Sequence, residues 1–215
     1  ADRIELCADL AVGGTTPSIG LIEWAVGAAQ AVGMAAHVLI RPRGGDFVYS
    51  PDEADVMARD IRAAKEAGVD GVVIGALTPS GAIDVPLAAR LIAVARPLSV
   101  TFHRAFDNAA DPTAAFADVL ELGADRLLTS GGAPTALEGA DVIRSLTARS
   151  DGRIIVMAGS GVTEATAAQV VRRTSVRELH FSARASAPGL PLTTRITRIM
   201  TAAARPVAGN PDYLP

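Results

Sequence analysis

Ala67-Gly68-Val69-Asp70-Gly71-Val72-Val73-Ile74-Gly75 places a glycine that ends a helix directly ahead of a run of buried-strand residues. Leu122-Gly123-Ala124-Asp125-Arg126-Leu127-Leu128-Thr129-Ser130 repeats the arrangement, and in both the glycine suits the left-handed turn that closes a helix. Ala1-Asp2-Arg3-Ile4-Glu5-Leu6-Cys7 matches the same unit from its third position. The chain is therefore expected to begin inside a repeat, just after a helix and its capping glycine, with N-terminal sequence missing.

Working outward from these units, strands are expected at Ile4–Cys7, Ala36–Arg41, Gly71–Leu77, Leu98–His103, Arg126–Ser130, Ile154–Ala158 and Glu178–Ser182. Helical spacing lies between them, at Pro51–Ala67, Pro86–Ala95, Pro112–Leu122 and Thr163–Arg173. A βα unit recurring about every thirty residues is the period of a parallel sheet wrapped in helices. Two folds have that period, an open doubly wound sheet and a (β/α)8 barrel. Alternate strand residues share a face, so Glu5 and Cys7, then Ser99, Thr101 and His103, then His180 and Ser182 put polar groups on one side. A doubly wound sheet would bury them under helices, whereas a barrel turns them into its upper interior. The expected fold is thus an α/β (β/α)8 TIM barrel with seven strands in this chain and the first βα unit missing. It forms a single domain over residues 1–215, in which 183–215 is a C-terminal helix and tail: Thr193–Ala204 reads as the helix and Pro206–Pro215 as the tail.

Composition narrows the function. The 215 residues are 49% hydrophobic with mean hydropathy +0.30, a net charge of −3 and a pI near 5.6, so there is no basic field for nucleic acid or an acidic membrane. Trp24–Ile40 is apolar but is broken by Gly27, Gln30, Gly33 and His37, and reads as helix, stop and strand rather than as a membrane span. Cys7 is the only cysteine, which excludes an internal disulfide, a CxxC pair and a thiolate-rich zinc site, and suits a reducing cytosol. Lys65 is the only lysine and sits mid-helix, which argues against Schiff-base chemistry. No motif for an organic cofactor is present.

Charge gathers at strand ends. Ile40-Arg41-Pro42-Arg43-Gly44-Gly45-Asp46-Phe47 closes one strand with two arginines, and His103-Arg104 followed by Asp107 closes another. Guanidinium forks match carboxylate or phosphate, so Arg41, Arg43 and Arg104 are candidate anion ligands, although each alone reads equally as a solvated rim charge. Glu5, His103 and His180 are candidates for proton transfer, with Asp107 orienting a histidine. Gly159-Ser160-Gly161 offers backbone amides, with Thr163 as the expected N-cap of the next helix. Asp46, Thr129 and Ser130 complete the candidate substrate-binding set with Gly159, Gly161 and His180.

Ile4-Glu5-Leu6-Cys7, Gly13-Gly14-Thr15-Thr16-Pro17-Ser18, Arg41-Pro42-Arg43-Gly44-Gly45-Asp46-Phe47-Val48-Tyr49-Ser50, Thr101-Phe102-His103-Arg104-Ala105-Phe106-Asp107, Leu128-Thr129-Ser130-Gly131 and Ala158-Gly159-Ser160-Gly161-Val162 together resemble the CutC copper homeostasis protein family. The resemblance implies a TIM barrel, cytoplasmic location, often an oligomer, and an extra strand and helix before the position of Asp2. It also implies copper binding through cysteines near the barrel mouth, of which only Cys7 matches here. Cu(I) prefers sulfur ligands, and three nearby arginines would repel a cation.

Two functions follow. One is a copper homeostasis protein binding Cu(I) at Cys7. The other is a TIM-barrel isomerase or lyase that holds a small carboxylate or phosphate with Arg41, Arg43 and Arg104 and moves a proton with Glu5 or His103. Either is expected as a cytoplasmic homo-oligomer, a dimer or higher.

Overall fold

The helices that begin with a cap and a proline begin at, or in one case a residue before, the position expected from the sequence: Pro51 and Pro112 as expected, and Val85 in place of Pro86. Ser50 accepts from the Glu53 N–H while the Glu53 carboxylate accepts from the Ser50 N–H, a closed capping box that starts α2 (Pro51–Glu66). Asp84 caps α3 (Val85–Ala95) and Asp111 caps α4 (Pro112–Glu121), each with proline in the first turn. The remaining helices are α1 (Ile19–Gln30), α5 (Ala140–Ser150), α6 (Ala167–Thr174) and α7 (Leu192–Ala203). The computed structural model describes residues 1–182 and 192–204. The expected tail at Pro206–Pro215 lies outside them, and α7 accounts for the helix expected at Thr193–Ala204.

Strands β1 (Arg3–Leu6), β2 (Ala35–Leu39), β3 (Gly71–Ile74), β4 (Ser99–Phe102), β5 (Arg126–Thr129), β6 (Ile155–Gly159) and β7 (Glu178–His180) neighbour one another in chain order. The registered pairs β1·β2, β2·β3, β3·β4, β4·β5 and β6·β7 are all parallel. An order with no reversal is that of a (β/α)8 barrel and lacks the switch point of a doubly wound sheet. Contacts divide the chain into two compact units, Ala1–Leu127 and Leu128 onward.

In the first unit the two faces of the sheet differ as alternation requires. Val38, Ile40, Val72, Ile74 and Val100 form a core with Val26, Met57, Ile61 and Leu91 from the helices, all nearly or fully buried. The opposite face carries the rows Glu5–His37–Gly71–Ser99 and Leu39–Val73–Thr101–Arg126. The repeated aspartates fix this sheet: Asp70 accepts the Ala36 N–H at 2.8 Å and donates its own N–H to Ala36, and Asp125 does the same with Val100 at 2.7 Å. The helix-glycine-aspartate repeat is thus a device that ties each incoming strand to its predecessor.

In the second unit α5 packs on β6 and α6, and α6 on α7. Helix α5 has no expected counterpart. It starts at Gly139 without a side-chain cap or proline, so its only signal is the spacing of Ala140, Ile143 and Leu146. Helix α6 begins at Ala167 rather than Thr163, because Thr166 Oγ1 accepts the Thr163 N–H and donates to the Gly161 carbonyl, holding a separate turn ahead of the helix. Thr163 is not its N-cap. Among the described residues no helix is long and apolar enough to cross a membrane.

Candidate functional site

Arg41 follows β2 on the polar face and is turned inward by a clasp with the β1–α1 loop: its N–H donates to Thr16 Oγ1 and its carbonyl accepts the Thr16 N–H, both at 2.9 Å. The residue is 5% exposed. Nη1 donates to the carbonyls of Val12 (3.0 Å) and Gly14 (2.9 Å), and Nη2 to that of Gly45 (2.7 Å). Gly14 can present that carbonyl because it adopts φ +97°, where a Cβ would also meet Leu39 at 2.8 Å. Among the described residues Nε has no hydrogen-bond partner and no carboxylate pairs with the group. A buried guanidinium bonded only to neutral carbonyls carries an uncompensated positive charge.

His103, just past β4, is 6% exposed. Its Nδ1 accepts the Ala105 N–H at 3.0 Å, which caps the 3-10 turn Arg104–Asn108. In the neutral ring the proton must then sit on Nε2, which is buried without a partner. Burial first, and then the charge of Arg41, hold its pKa down to about 3. The ring fits because residue 75 is glycine: a Cβ there would run into His103 Cε1 and Nδ1. Gly71 does the same for His37, whose Nε2 would lie 2.6 Å from an added Cβ.

Phe47 joins the two groups. Its ring lies 4.8 Å from the Arg41 Cζ and 5.0 Å, centre to centre, from His103. Thr101, on the same face two residues before His103, adds a buried hydroxyl without a partner. Phe47, Thr101, Gly71 and Gly75 were absent from the expected site. The glycines had a usable signal, since Gly71, Val73 and Gly75 share a face and leave it bare beside two histidines.

The other expected residues form smaller pairs. Arg43 is held by its own loop and helix: Nε donates to Glu53 at 2.5 Å, Nη1 to Asp46 at 3.0 Å, and Nη2 to the Val48 carbonyl at 2.7 Å. The Ser50 N–H and then Arg43 hold Glu53 below the usual carboxylate range, and Arg43 does so for Asp46. Arg104 donates to Asp107 at 2.8 Å, so that carboxylate orients the arginine rather than His103. Glu5 lies near Cys7, a half-buried free thiol whose pKa is raised by burial and by that carboxylate.

In the second unit Thr129 Oγ1 accepts the Gly131 N–H and Ser130 Oγ donates to the Ala133 carbonyl, both from fully buried positions. Gly159 pairs in register with His180, and a Cβ on it would meet Leu128 at 2.5 Å. Gly161, at φ +66°, is packed against Thr135.

Among the described residues no three His, Cys, Asp or Glu groups are placed to hold a metal. His103 is unsuited as a ligand, because one nitrogen faces a donor and the other carries the proton, whereas a metal-bound imidazole needs a free nitrogen and an acceptor for the other. Among the described residues the donors do not assemble a three-ligand copper site.

The CutC family profile matches residues 1–185. The human copper homeostasis protein cutC homolog is 50% identical over 186 residues, covering 86% of this chain and 67% of that protein. A CutC protein of Bacteroides thetaiotaomicron is 48% identical over 186 residues, covering 86% and 74%. The solved CutC structure from Streptococcus agalactiae superposes with a TM-score of 0.80 at 36% identity, covering 83% of this chain and 87% of that one. With the profile spanning nearly the whole described chain, and motif-bearing strand ends where the resemblance requires them, this chain belongs to the CutC family.

Proposed function

We propose that this protein serves copper homeostasis, the role carried in the names of its human and mouse relatives, as a barrel protein that binds a small anion beside Arg41. The observation that carries the reading is the buried Arg41 charge without a carboxylate partner. Desolvating an ion costs several kcal/mol, and a bound anion is the natural compensation. The unpartnered Arg41 Nε and His103 Nε2–H both donate, which favours an anion or oxygen acceptor and disfavours a cation. Proton transfer of the isomerase or lyase kind then falls to Glu5, because His103 has its acceptor nitrogen occupied and stays neutral near pH 7.

The test is titration of the folded protein with acetate, phosphate and sulfate at constant ionic strength, following the aromatic resonances of Phe47. Saturable binding that weakens at least about tenfold in Arg41→Gln is expected, the loss of one charge-assisted hydrogen-bonding group. Absence of saturable binding by all three anions to the wild-type protein would overturn the reading.

A further inference from the structure

Resting on the anion reading above, we infer that the ligand is a small monocarboxylate with a second oxygen on the adjacent carbon, of the 2-oxo acid class. Arg41 takes the carboxylate and the His103 Nε2–H takes the second oxygen.

Charge sets the first half. Among the described residues Arg41 is the buried cation at these strand ends that lacks a counter-charge, while Arg43 is matched by Glu53 and Asp46 and Arg104 by Asp107. One uncompensated positive charge is neutralised by one negative charge, which fits a carboxylate and leaves a phosphate dianion in excess. Of the five N–H groups of Arg41, three reach carbonyls, and Nε–H is without a partner.

Hydrogen bonding sets the second half. The Ala105 N–H on Nδ1 fixes the tautomer of His103, so the ring offers one donor and no acceptor. Such a group recognises an oxygen lone pair and is indifferent to charge. Arg41 and His103 each lie about 5 Å from the centre of the same Phe47 ring, and the Arg41 charge is felt at His103, so the two donors border one region that a small ligand beside that ring would meet. The Phe47 ring lies against both groups and must turn aside for a ligand to enter; in place it supplies an apolar wall for the carbon end. The neutrality of His103 follows from its burial and from the neighbouring Arg41 charge, and means that this donor persists on both sides of neutral pH.

The probes are pyruvate and propionate, which differ by the 2-oxo oxygen. They are titrated into wild-type protein and into His103→Asn at pH 5.5 and 8. Asparagine keeps an oxygen where Nδ1 accepts the Ala105 N–H, as in an Asx turn, and removes the Nε2 donor. Wild-type protein is expected to prefer pyruvate about tenfold at both pH values, the worth of one well-made buried hydrogen bond. His103→Asn is expected to bind the two alike. In wild-type protein the His103 Nε2–H resonance should shift with pyruvate and stay put with propionate, a readout that does not depend on the variant. Equal binding of the two acids to wild-type protein, or failure of both to bind, would overturn this inference, while the anion reading stands or falls separately on acetate, phosphate and sulfate.

Discussion

Replacing Gly75 with alanine tests whether the fold makes room for His103 by omitting a side chain. The backbone of Gly75 is not in the left-handed region, so the substitution adds no conformational strain, and its cost is steric. The added Cβ would overlap His103 Cε1 and Nδ1 and would lie 3.1 Å from the Ala105 Cβ. His103 cannot simply rotate, because its Nδ1 is bonded to the Ala105 N–H and its own N–H donates to the Ile74 carbonyl at 2.7 Å. Overpacking at a closed site costs about 1–3 kcal/mol. Loss of the His103–Ala105 hydrogen bond adds about 0.5–1.5 kcal/mol. The sum is about 1.5–4.5 kcal/mol, a lowering of Tm by roughly 3–18 °C for a chain of this size. Urea unfolding of a double-mutant cycle isolates the pair. In a His103→Ala background, Gly75→Ala should cost only about 1 kcal/mol, the residue of the Ala105 contact. An equal cost in both backgrounds would refute the steric account, as would a stability unchanged by Gly75→Ala alone.

Three further outcomes are expected. Asp125→Ala should destabilise by about 1–3 kcal/mol in urea melts and exceed Asp70→Ala, since Asp125 holds Arg96 as well as the Val100 N–H while Asp70 holds the Ala36 N–H. The His103 ring should show no titration by NMR between pH 5 and 8, because its folded pKa is near 3. Its unfolded pKa is near 6.5, so its contribution is complete above that value, and stability falls by up to about 1.4 kcal/mol per pH unit as pH drops from 6.5 toward 3. His103→Asn should lose that slope, and an unchanged slope would contradict the assignment. Cys7 should alkylate more slowly than a free thiol at pH 8, its pKa being raised, and Cys7→Ser should keep the protein's Cu(I) affinity in a competition titration. A loss of tenfold or more would place copper on that sulfur.

Much of the architecture is legible in the chain because its signals are local. Ser50-Pro51 and Asp111-Pro112 name helix starts through caps and a fixed φ. The strand ends are less legible: Arg41 and His103 read as the last residues of strands, yet β2 ends at Leu39 and β4 at Phe102. There the backbone leaves its ladder for partners distant in sequence, Thr16 in the case of Arg41. The candidate site is split in the same way. Arg41 and His103 are conspicuous as charged or titratable residues at strand ends, whereas Phe47 looks like any loop aromatic until its ring is found against both.

The Asp70 and Asp125 repeats, with their glycines and the alternation of Val72, Ile74 and Val100, are enough to specify parallel strands laid down in order. Turn chemistry and side-chain period act over a few residues and need no partner to be read. What each polar group does was decided only in three dimensions. Asp107 serves Arg104 instead of a histidine, Arg43 is satisfied by Glu53 and Asp46, and Arg41 is buried among carbonyls with no carboxylate beside it among the described residues. Burial and pairing depend on which distant segments meet, and the same arginine can be a rim charge, a loop clamp or an anion site until those neighbours are fixed.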